Sequence, residues 1–268
     1  FSAHQGSLNI VLVNLKLPPE ELVVSSRTVV HPNFFHETTQ QNLIPFDDIP
    51  RKHKSPHSRR SPLMGRAYRK YQNYSVYEFT LRTKTGLPFV TRPLIELLIK
   101  CALARALRNT TVTLCHIVTM GNHYHILVFV EDLNDLPLFH GRFKKNLTDY
   151  TKKVLGIDSL HLWESDHPAQ ILDFDDLIYR LTYFYANPAA AHLVKTIDDY
   201  PGFSTFKEFS TLPVHPDSST TIKVPIIPVN TVPKLPETLS AHQEKKLIKE
   251  MLTHSTETLD LTIAPFAL

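Results

Sequence analysis

The sequence predicts an α+β fold: a ferredoxin-like antiparallel sheet with the element order βαββαβ, followed by one further helix. Three observations lead to this prediction. Apolar, β-branched runs alternate with stretches of helical spacing between residues 76 and 172. A short turn at residues 120–122 joins two of these runs as a hairpin. A helix with two different faces follows at residues 174–188. This order is typical of an antiparallel sheet that carries two helices on one face.

The composition allows a well-packed domain and indicates no particular partner. The chain has 268 residues, of which 42% are hydrophobic, and its formal net charge is only +3. No apolar run reaches membrane-spanning length and no signal peptide is visible, so we expect a cytoplasmic protein without membrane contact. Cys101 and Cys115 lie among apolar neighbours and are predicted to be buried thiols rather than a disulfide.

Prolines cluster towards both ends of the chain, which predicts a folded middle with irregular flanks. We divide the chain into an irregular basic extension over 1–73, a folded domain over 74–206 and a Pro-rich extension over 207–268. The first extension contains a possible strand at 8–13 and a basic run at 51–60. In the last, residues 212–236 are expected to build no domain, residues 241–252 to form a short helix, and the final residues to fray.

The elements of the middle segment follow from periodicity and from turn residues. Pro93 is a favoured first-turn residue and begins a helix, whereas Gly156 ends the next one. The fourth strand has two candidates, residues 160–163 and residues 170–172. The other expected elements are strands at 76–82, 111–118 and 123–130, and a helix at 136–154.

The helix at 174–188 has one face for the core and another that core packing does not explain. At 100° per residue, Tyr183 and Asn187 fall together on the side opposite the apolar stripe, together with Asp176 and Tyr179. An exposed tyrosine and an asparagine that caps the helix before Pro188 are the ordinary alternatives. Asp173 is the expected N-cap, and the core stripe consists of Leu177, Ile178, Leu181 and Tyr185.

The strand at 123–130 begins with two histidines separated by Tyr124. Side chains alternate between the faces of a strand, so His123 and His125 point the same way. Two imidazoles on one face could hold a metal ion at the end of a sheet, although this spacing also occurs often without one.

Two groups of basic residues are candidates for contact with nucleic acid. The exposed side of the 136–154 helix carries lysines, and basic residues alternate with tyrosines around residues 66–74. A solvated surface explains both groups equally simply. The candidates are Lys144, Lys145, Lys152, Lys153, Arg66, Arg69 and Lys70.

Together, these segments resemble a known family. Gly-Asn-His-Tyr-His at 121–125 resembles the HUH motif of single-tyrosine (Y1) transposases of the IS200/IS605 type. Residues 183–194, which begin Tyr-Phe-Tyr-Ala-Asn-Pro, and Asp-Tyr-Pro-Gly-Phe-Ser at 199–204 resemble segments of the REP-associated tyrosine transposases (RAYTs). Trp163 also falls where these proteins carry a tryptophan. The resemblance covers about residues 74–206, and it departs at His192, where the family often has Gly, and at Tyr200, where it often has Trp.

The resemblance implies an HUH endonuclease core and a function in DNA transposition and recombination. Tyr183 would be the nucleophile, which cuts single-stranded DNA through a 5′-phosphotyrosine intermediate. His123, His125 and Asn187 would bind a divalent metal ion, Mg²⁺ or Mn²⁺. The expected partners are palindromic DNA hairpins, and the expected place is the bacterial cytoplasm, at the nucleoid. Whether the protein is a monomer or a homodimer, and whose metal site its tyrosine serves, stay open.

Two other functions fit the same residues. One is a DNA-hairpin-binding protein that has lost turnover. The other is a histidine-based metallohydrolase that uses water and no tyrosine, whose activity would survive Tyr183→Phe.

Overall fold

In the computed structural model, the described residues are 71–84, 86, 89, 92–236 and 238–267. They form a six-stranded sheet with the strand order β4-β1-β3-β2-β6-β5. The strands are β1 Ser75–Arg82, β2 Val112–Thr119, β3 His123–Val130, β4 Ala169–Ile171, β5 Thr220–Pro225 and β6 Thr258–Ile263. The helices are α1 Pro93–Leu107, α2 Asp135–Leu155, α3 Phe174–Ala190, α4 Phe206–Thr211 and α5 Ala241–Thr253.

The predicted α+β class and the ferredoxin-like core are confirmed. β1 pairs antiparallel with both β3 and β4, and β2 pairs antiparallel with β3. The fourth strand is the second of the two candidates, at Ala169–Ile171. The other candidate contributes only one bridge, between Thr83 and Trp163. Trp163 instead packs against α2, where its indole N–H donates to Thr148 Oγ1 at 2.9 Å.

The two faces of the sheet carry two separate apolar clusters. On one face, Tyr124, Ile126 and Val128 of β3 pack with buried residues of α1 and α2. On the other face, Leu127 and Phe129 pack with the apolar side of α3. Side chains alternate along β3, so His123 and His125 lie on the α3 side of the sheet.

The C-terminal part of the chain completes the sheet. The expectation that residues 212–236 build no domain is corrected by β5, which joins the central sheet, and the expectation that the final residues fray is wrong. β5 pairs antiparallel with β6, and Ile263 of β6 pairs in parallel with Leu114 of β2. β5 lies at the edge of the sheet and Pro225 ends it, at a position where a missing backbone N–H is tolerated. The predicted helix at 241–252 is confirmed, and Ser240 and Gln243 form its capping box. The limits of the three segments stay a prediction.

The segment after α3 folds back onto the end of β2. Tyr200 donates a hydrogen bond of 2.5 Å to the Thr119 carbonyl, and the Thr119 hydroxyl donates to the Phe203 carbonyl at 2.9 Å. A Cβ on Gly202 would lie 2.4 Å from the Tyr200 ring, so this turn requires glycine. Tyr200 is therefore a buried anchor of the fold.

α3 ends later than predicted, and a residue shortly after it has an unusual backbone angle. The helix does not end before Pro188 but continues to Ala190. Pro188 is buried and lies in the last turn, where a proline removes only one helical hydrogen bond. His192, one of the departures noted above, has a φ of +55°, in the left-handed region that glycine adopts most easily.

Other predictions concern single residues or short stretches. Cys101 and Cys115 are both buried and free, as predicted. None of the helices in the described part of the chain has the length and apolar character needed to span a bilayer. The possible strand at 8–13, the basic run at 51–60 and Arg66, Arg69 and Lys70 lie outside the described residues.

Replacement of a single β6 side chain tests how much the C-terminal strands contribute to stability. Ile263 is fully buried in the larger apolar cluster. We expect Ile263→Ala to lower the free energy of unfolding by roughly 2–5 kcal/mol, as for other large-to-small core changes. Thr258→Ala in the same strand is the matched control, because Thr258 is exposed and its replacement should cost less than about 0.5 kcal/mol. Equal midpoints for the two variants in urea would contradict a structural role for β6.

Candidate active site

Three side chains that the sequence analysis singled out meet between β3 and α3. The Asn187 amide nitrogen lies 3.1 Å from His125 Nε2 and 3.3 Å from His123 Nε2. The two imidazole rings are nearly perpendicular, with centroids 5.1 Å apart. β3 supplies the histidines from one face, and the last turns of α3 supply the asparagine from above that face.

The hydrogen bonds at this site determine where each imidazole carries its proton. The Asn187 amide N–H groups donate to both Nε2 atoms, so both Nε2 atoms act as acceptors. His123 Nδ1 in turn donates to the Asn122 side-chain carbonyl at 2.8 Å. The proton of His123 is therefore on Nδ1, and the lone pairs of the two Nε2 atoms converge on Asn187.

The His123 imidazole is neutral under physiological conditions. Partial burial lowers its pKa to about 4, and the nearby His125 and Arg82 act in the same direction. Since a metal ion binds the neutral form of imidazole, His123 needs to release no proton at neutral pH before it can bind one.

The donor set fits a divalent cation. Imidazole nitrogen and amide oxygen are both metal ligands in proteins, and three such donors leave coordination positions open for a substrate. The Asn187 amide nitrogen faces the histidines here, so a half-turn of the amide group would be needed to direct its oxygen at a shared cation. No three His, Cys, Asp or Glu side chains in the described part of the chain are grouped for metal binding, and the further side chain that contacts both histidines is Asn187. The structure thus brings the three predicted ligands together, whereas their metal-binding role stays a prediction.

Tyr183 lies beside this group and is accessible. Its ring is perpendicular to the His125 ring, with centroids 5.3 Å apart, and the residue is 49% exposed. Among the described residues, its hydroxyl group has no hydrogen-bond partner. Tyr185, two residues later, is only 1% exposed. The predicted division of α3 into a core face and a second face with Tyr183 and Asn187 is confirmed.

Two carboxylates near the site belong to one ion-pair network. Arg180 of α3 donates to Asp176 at 2.9 Å and also pairs with Glu78 of β1. Asp176 is therefore engaged by Arg180 rather than directed at Tyr183. Burial alone would raise the pKa of the Glu78 carboxyl, but His125 and Arg180 together lower it below its usual range.

The four predicted DNA-binding lysines of α2 are not at this site. α2 packs on the opposite face of the sheet, with its buried residues in the other apolar cluster. Lys144 pairs with Asp166 at 2.5 Å, and Lys145 and Lys152 pair with Asp149 at 2.7 and 3.5 Å. Lys153 is exposed. Their role in DNA binding stays a prediction.

Arg82 is a cation near the site that the sequence analysis missed. It lies directly opposite His123 in the β1–β3 ladder, so the two side chains share a face. Arg82 is exposed and has no carboxylate partner among the described residues. The two-residue period of β1, which also puts Glu78 and Thr80 on this face, was visible in the sequence, but the pairing register was not.

A buried network holds α3 in place behind the site. Tyr185 Oη lies 2.7 Å from His116 Nδ1, and His116 Nε2 lies 2.9 Å from the Pro265 carbonyl. A carbonyl can only accept, so Nε2 donates to it and Nδ1 accepts from the tyrosine hydroxyl. Full burial lowers the pKa of His116 to about 3, which keeps it neutral. Through its hydrogen bond to His116, Tyr185 thus connects α3 to both β2 and the segment after β6.

Comparison with known proteins gave one similar structure. No family model and no curated protein matches this chain. A solved structure of a REP-associated tyrosine transposase bound to a REP hairpin is similar, with 18% sequence identity and a TM-score of 0.46. The similarity covers 66% of this chain and 96% of the other. At this identity, the function of the chain has to be inferred from its own site residues.

Two conservative variants of α3 should distinguish a tyrosine that stabilises the fold from one that does not. Tyr185→Phe leaves His116 Nδ1 without a donor, so we expect the free energy of unfolding to fall by about 1–3 kcal/mol. Tyr183→Phe removes an exposed hydroxyl and should change it by less than about 0.5 kcal/mol. Urea denaturation of both variants checks this, and a larger loss for Tyr183→Phe than for Tyr185→Phe would contradict the assignment of the two faces.

Proposed function

We propose that this protein is a metal-dependent, single-stranded DNA endonuclease and strand transferase of the Y1 HUH transposase type, close to the REP-associated branch. The observation that carries the proposal is the arrangement on α3. Asn187 contacts both histidines of β3, and Tyr183, one turn earlier on the same helix face, lies against His125 with a hydroxyl that bonds no other described residue. A nucleophile and a set of metal ligands are thus held by two packed elements.

In the proposed reaction, the Tyr183 oxygen attacks the phosphorus of a DNA phosphodiester. A P–O bond forms to tyrosine while the bond to the 3′ oxygen breaks, which leaves a 5′-phosphotyrosine and a free 3′-hydroxyl. The tyrosine proton passes to solvent and the departing oxygen takes one from it. A bound Mg²⁺ or Mn²⁺, held by His123, His125 and Asn187, would supply Lewis-acid polarisation of the phosphodiester. Attack by a 3′-hydroxyl reverses the step and joins strands.

The surroundings of Tyr183 are suited to a single DNA strand. Arg82 lies beside His123 and has no carboxylate partner in the described part of the chain, so its guanidinium can bind a phosphate oxygen. Because Tyr183 is exposed, the backbone of a single DNA strand can reach its hydroxyl group. The proposed substrate is a single-stranded DNA hairpin, met at the nucleoid in the bacterial cytoplasm.

All proposed site residues come from one chain. Tyr183 and Asn187 lie next to the histidines of the same protein molecule, so a homodimer is not needed to complete the site.

Covalent capture tests the nucleophile. The wild-type protein, incubated with Mn²⁺ and a labelled library of single-stranded hairpins, should give a protein–DNA band on a denaturing gel. Tyr183→Phe should lose this band completely, because a phenyl ring offers no oxygen for attack. Tyr179→Phe is the matched control, since Tyr179 is also exposed and lies one turn earlier on α3. Cleavage without a covalent band, equal in wild type and Tyr183→Phe, would instead assign a metallohydrolase. Hairpin binding without any cleavage would assign a DNA-binding protein.

The salt dependence of hairpin binding tests the position of the DNA. Arg82→Ala should weaken binding and reduce the slope of log K against log salt concentration by about 1, as expected for one lost phosphate contact. Lys153→Ala is the comparison, because Lys153 is exposed on α2, beyond the opposite face of the sheet. An unchanged slope for Arg82→Ala together with a reduced slope for Lys153→Ala would place the DNA on the α2 side.

A further inference from the structure

One face of β1 extends the proposed site beyond its metal ligands. In the β1–β3 ladder, Glu78 lies opposite Leu127 and Thr80 lies opposite His125. Both side chains are thus on the α3 face of the sheet, next to the histidine that contacts Asn187 and Tyr183. They approach His125 at Nδ1, the ring nitrogen that does not face Asn187.

Thr80 connects Glu78 to His125. Thr80 Oγ1 lies 3.2 Å from Glu78 Oε1 and 3.3 Å from His125 Nδ1. The threonine hydroxyl has a single proton, which the carboxylate accepts, so the same hydroxyl can only accept from Nδ1–H. The carboxylate itself is 3.7 Å from Nδ1, too far for a direct hydrogen bond, so the hydroxyl is the link.

The Glu78 carboxylate, at one end of this link, is held in place by α3. Glu78 is only 7% exposed and pairs with Arg180 of α3. Arg180 is itself oriented by Asp176, which accepts from its Nε at 2.9 Å. Arg180 lies three residues before Tyr183, so one ion pair joins the helix that carries the nucleophile to the strand that orients His125.

We propose that Glu78 and Thr80 are positioning residues for His125: they hold its proton on Nδ1 and thereby direct the free Nε2 lone pair towards Asn187, and Arg180 couples this arrangement to the position of Tyr183. The hydrogen bond from the Asn187 amide to Nε2 agrees with the same proton position. The consequence for metal binding rests on the proposed function. Outer hydrogen bonds of this kind typically contribute about 10- to 100-fold to metal affinity.

The test uses the full chain with three variants. Thr80→Val keeps the shape of the side chain and removes the hydroxyl, whereas Thr80→Ser keeps the hydroxyl. Thr80 is exposed, so neither change disturbs the core. Thr221→Val is the matched control, because it removes a strand hydroxyl that bonds only Thr262, at 3.0 Å, on β6.

Two measurements are made on each protein. The first is the ¹⁵N chemical shifts of the His125 ring nitrogens without metal, which report the proton position directly. The second is the Mn²⁺ dissociation constant from calorimetry. For Thr80→Val we expect a mixture of proton positions and an affinity for Mn²⁺ that is lower by about tenfold or more. Thr80→Ser and Thr221→Val should match wild type in both, and Glu78→Gln should behave like Thr80→Val.

Unchanged ¹⁵N shifts and unchanged Mn²⁺ affinity in both Thr80→Val and Glu78→Gln would overturn the proposal. The ¹⁵N measurement needs no metal, so it tests the positioning role separately from the proposed function. His125→Ala provides the second distinction. If it binds Mn²⁺ as wild type does, the metal site of the proposed function fails, and the proton position in Thr80→Val alone then supports or overturns the role of Glu78 and Thr80.

Discussion

The two-residue period of β3 is the constraint on which the site depends. Because successive side chains point to opposite faces, Tyr124 and Ile126 enter the core under α1 and α2, while His123 and His125 are left for α3. β3 pairs with β1 on one side and β2 on the other, so both neighbours fix its register. A slip of one residue would turn the imidazoles into the apolar cluster under α1 and α2 and put Tyr124 at the site.

The helical period of α3 likewise puts two nearby side chains on different faces. Tyr183 and Tyr185 are two residues apart, which on a helix turns them about 200° from each other. One therefore bonds His116 in the interior while the other remains at the surface beside His125. The buried tyrosine holds the helix, and this leaves the exposed tyrosine free of any structural task.

The sequence was most informative where the signal was local. Strand alternation and helical spacing predicted the ferredoxin-like core, the shared face of the histidines, and the side of α3 that carries Tyr183 and Asn187. The failures concern pairing over long distances. Nothing in residues 258–263 indicates that Ile263 will pair with Leu114, and the register that puts Glu78, Thr80 and Arg82 beside the histidines depends on β1 meeting β3.

A local irregularity was equally hidden from the sequence. β2 has a bulge between Leu114 and His116, so that Cys115 and His116 both face α3. If the alternation of β2 were regular, His116 would point into the other cluster and its hydrogen bond with Tyr185 would be lost. The sequence of β2 does not show where its alternation is interrupted. A gradual change in the apolar character of the residues along a strand gives the same pattern as one added residue.

The bond between His116 and Pro265 has a consequence for the order in which the molecule assembles during synthesis. The two residues are 149 positions apart, so the ribosome completes the histidine strand and the tyrosine helix long before it adds the carbonyl that closes the network behind them. Contacts of such long range form late and slowly. A nascent chain can therefore complete its ferredoxin-like sheet first, and Tyr183 gains a fixed position only after the distant strand has joined.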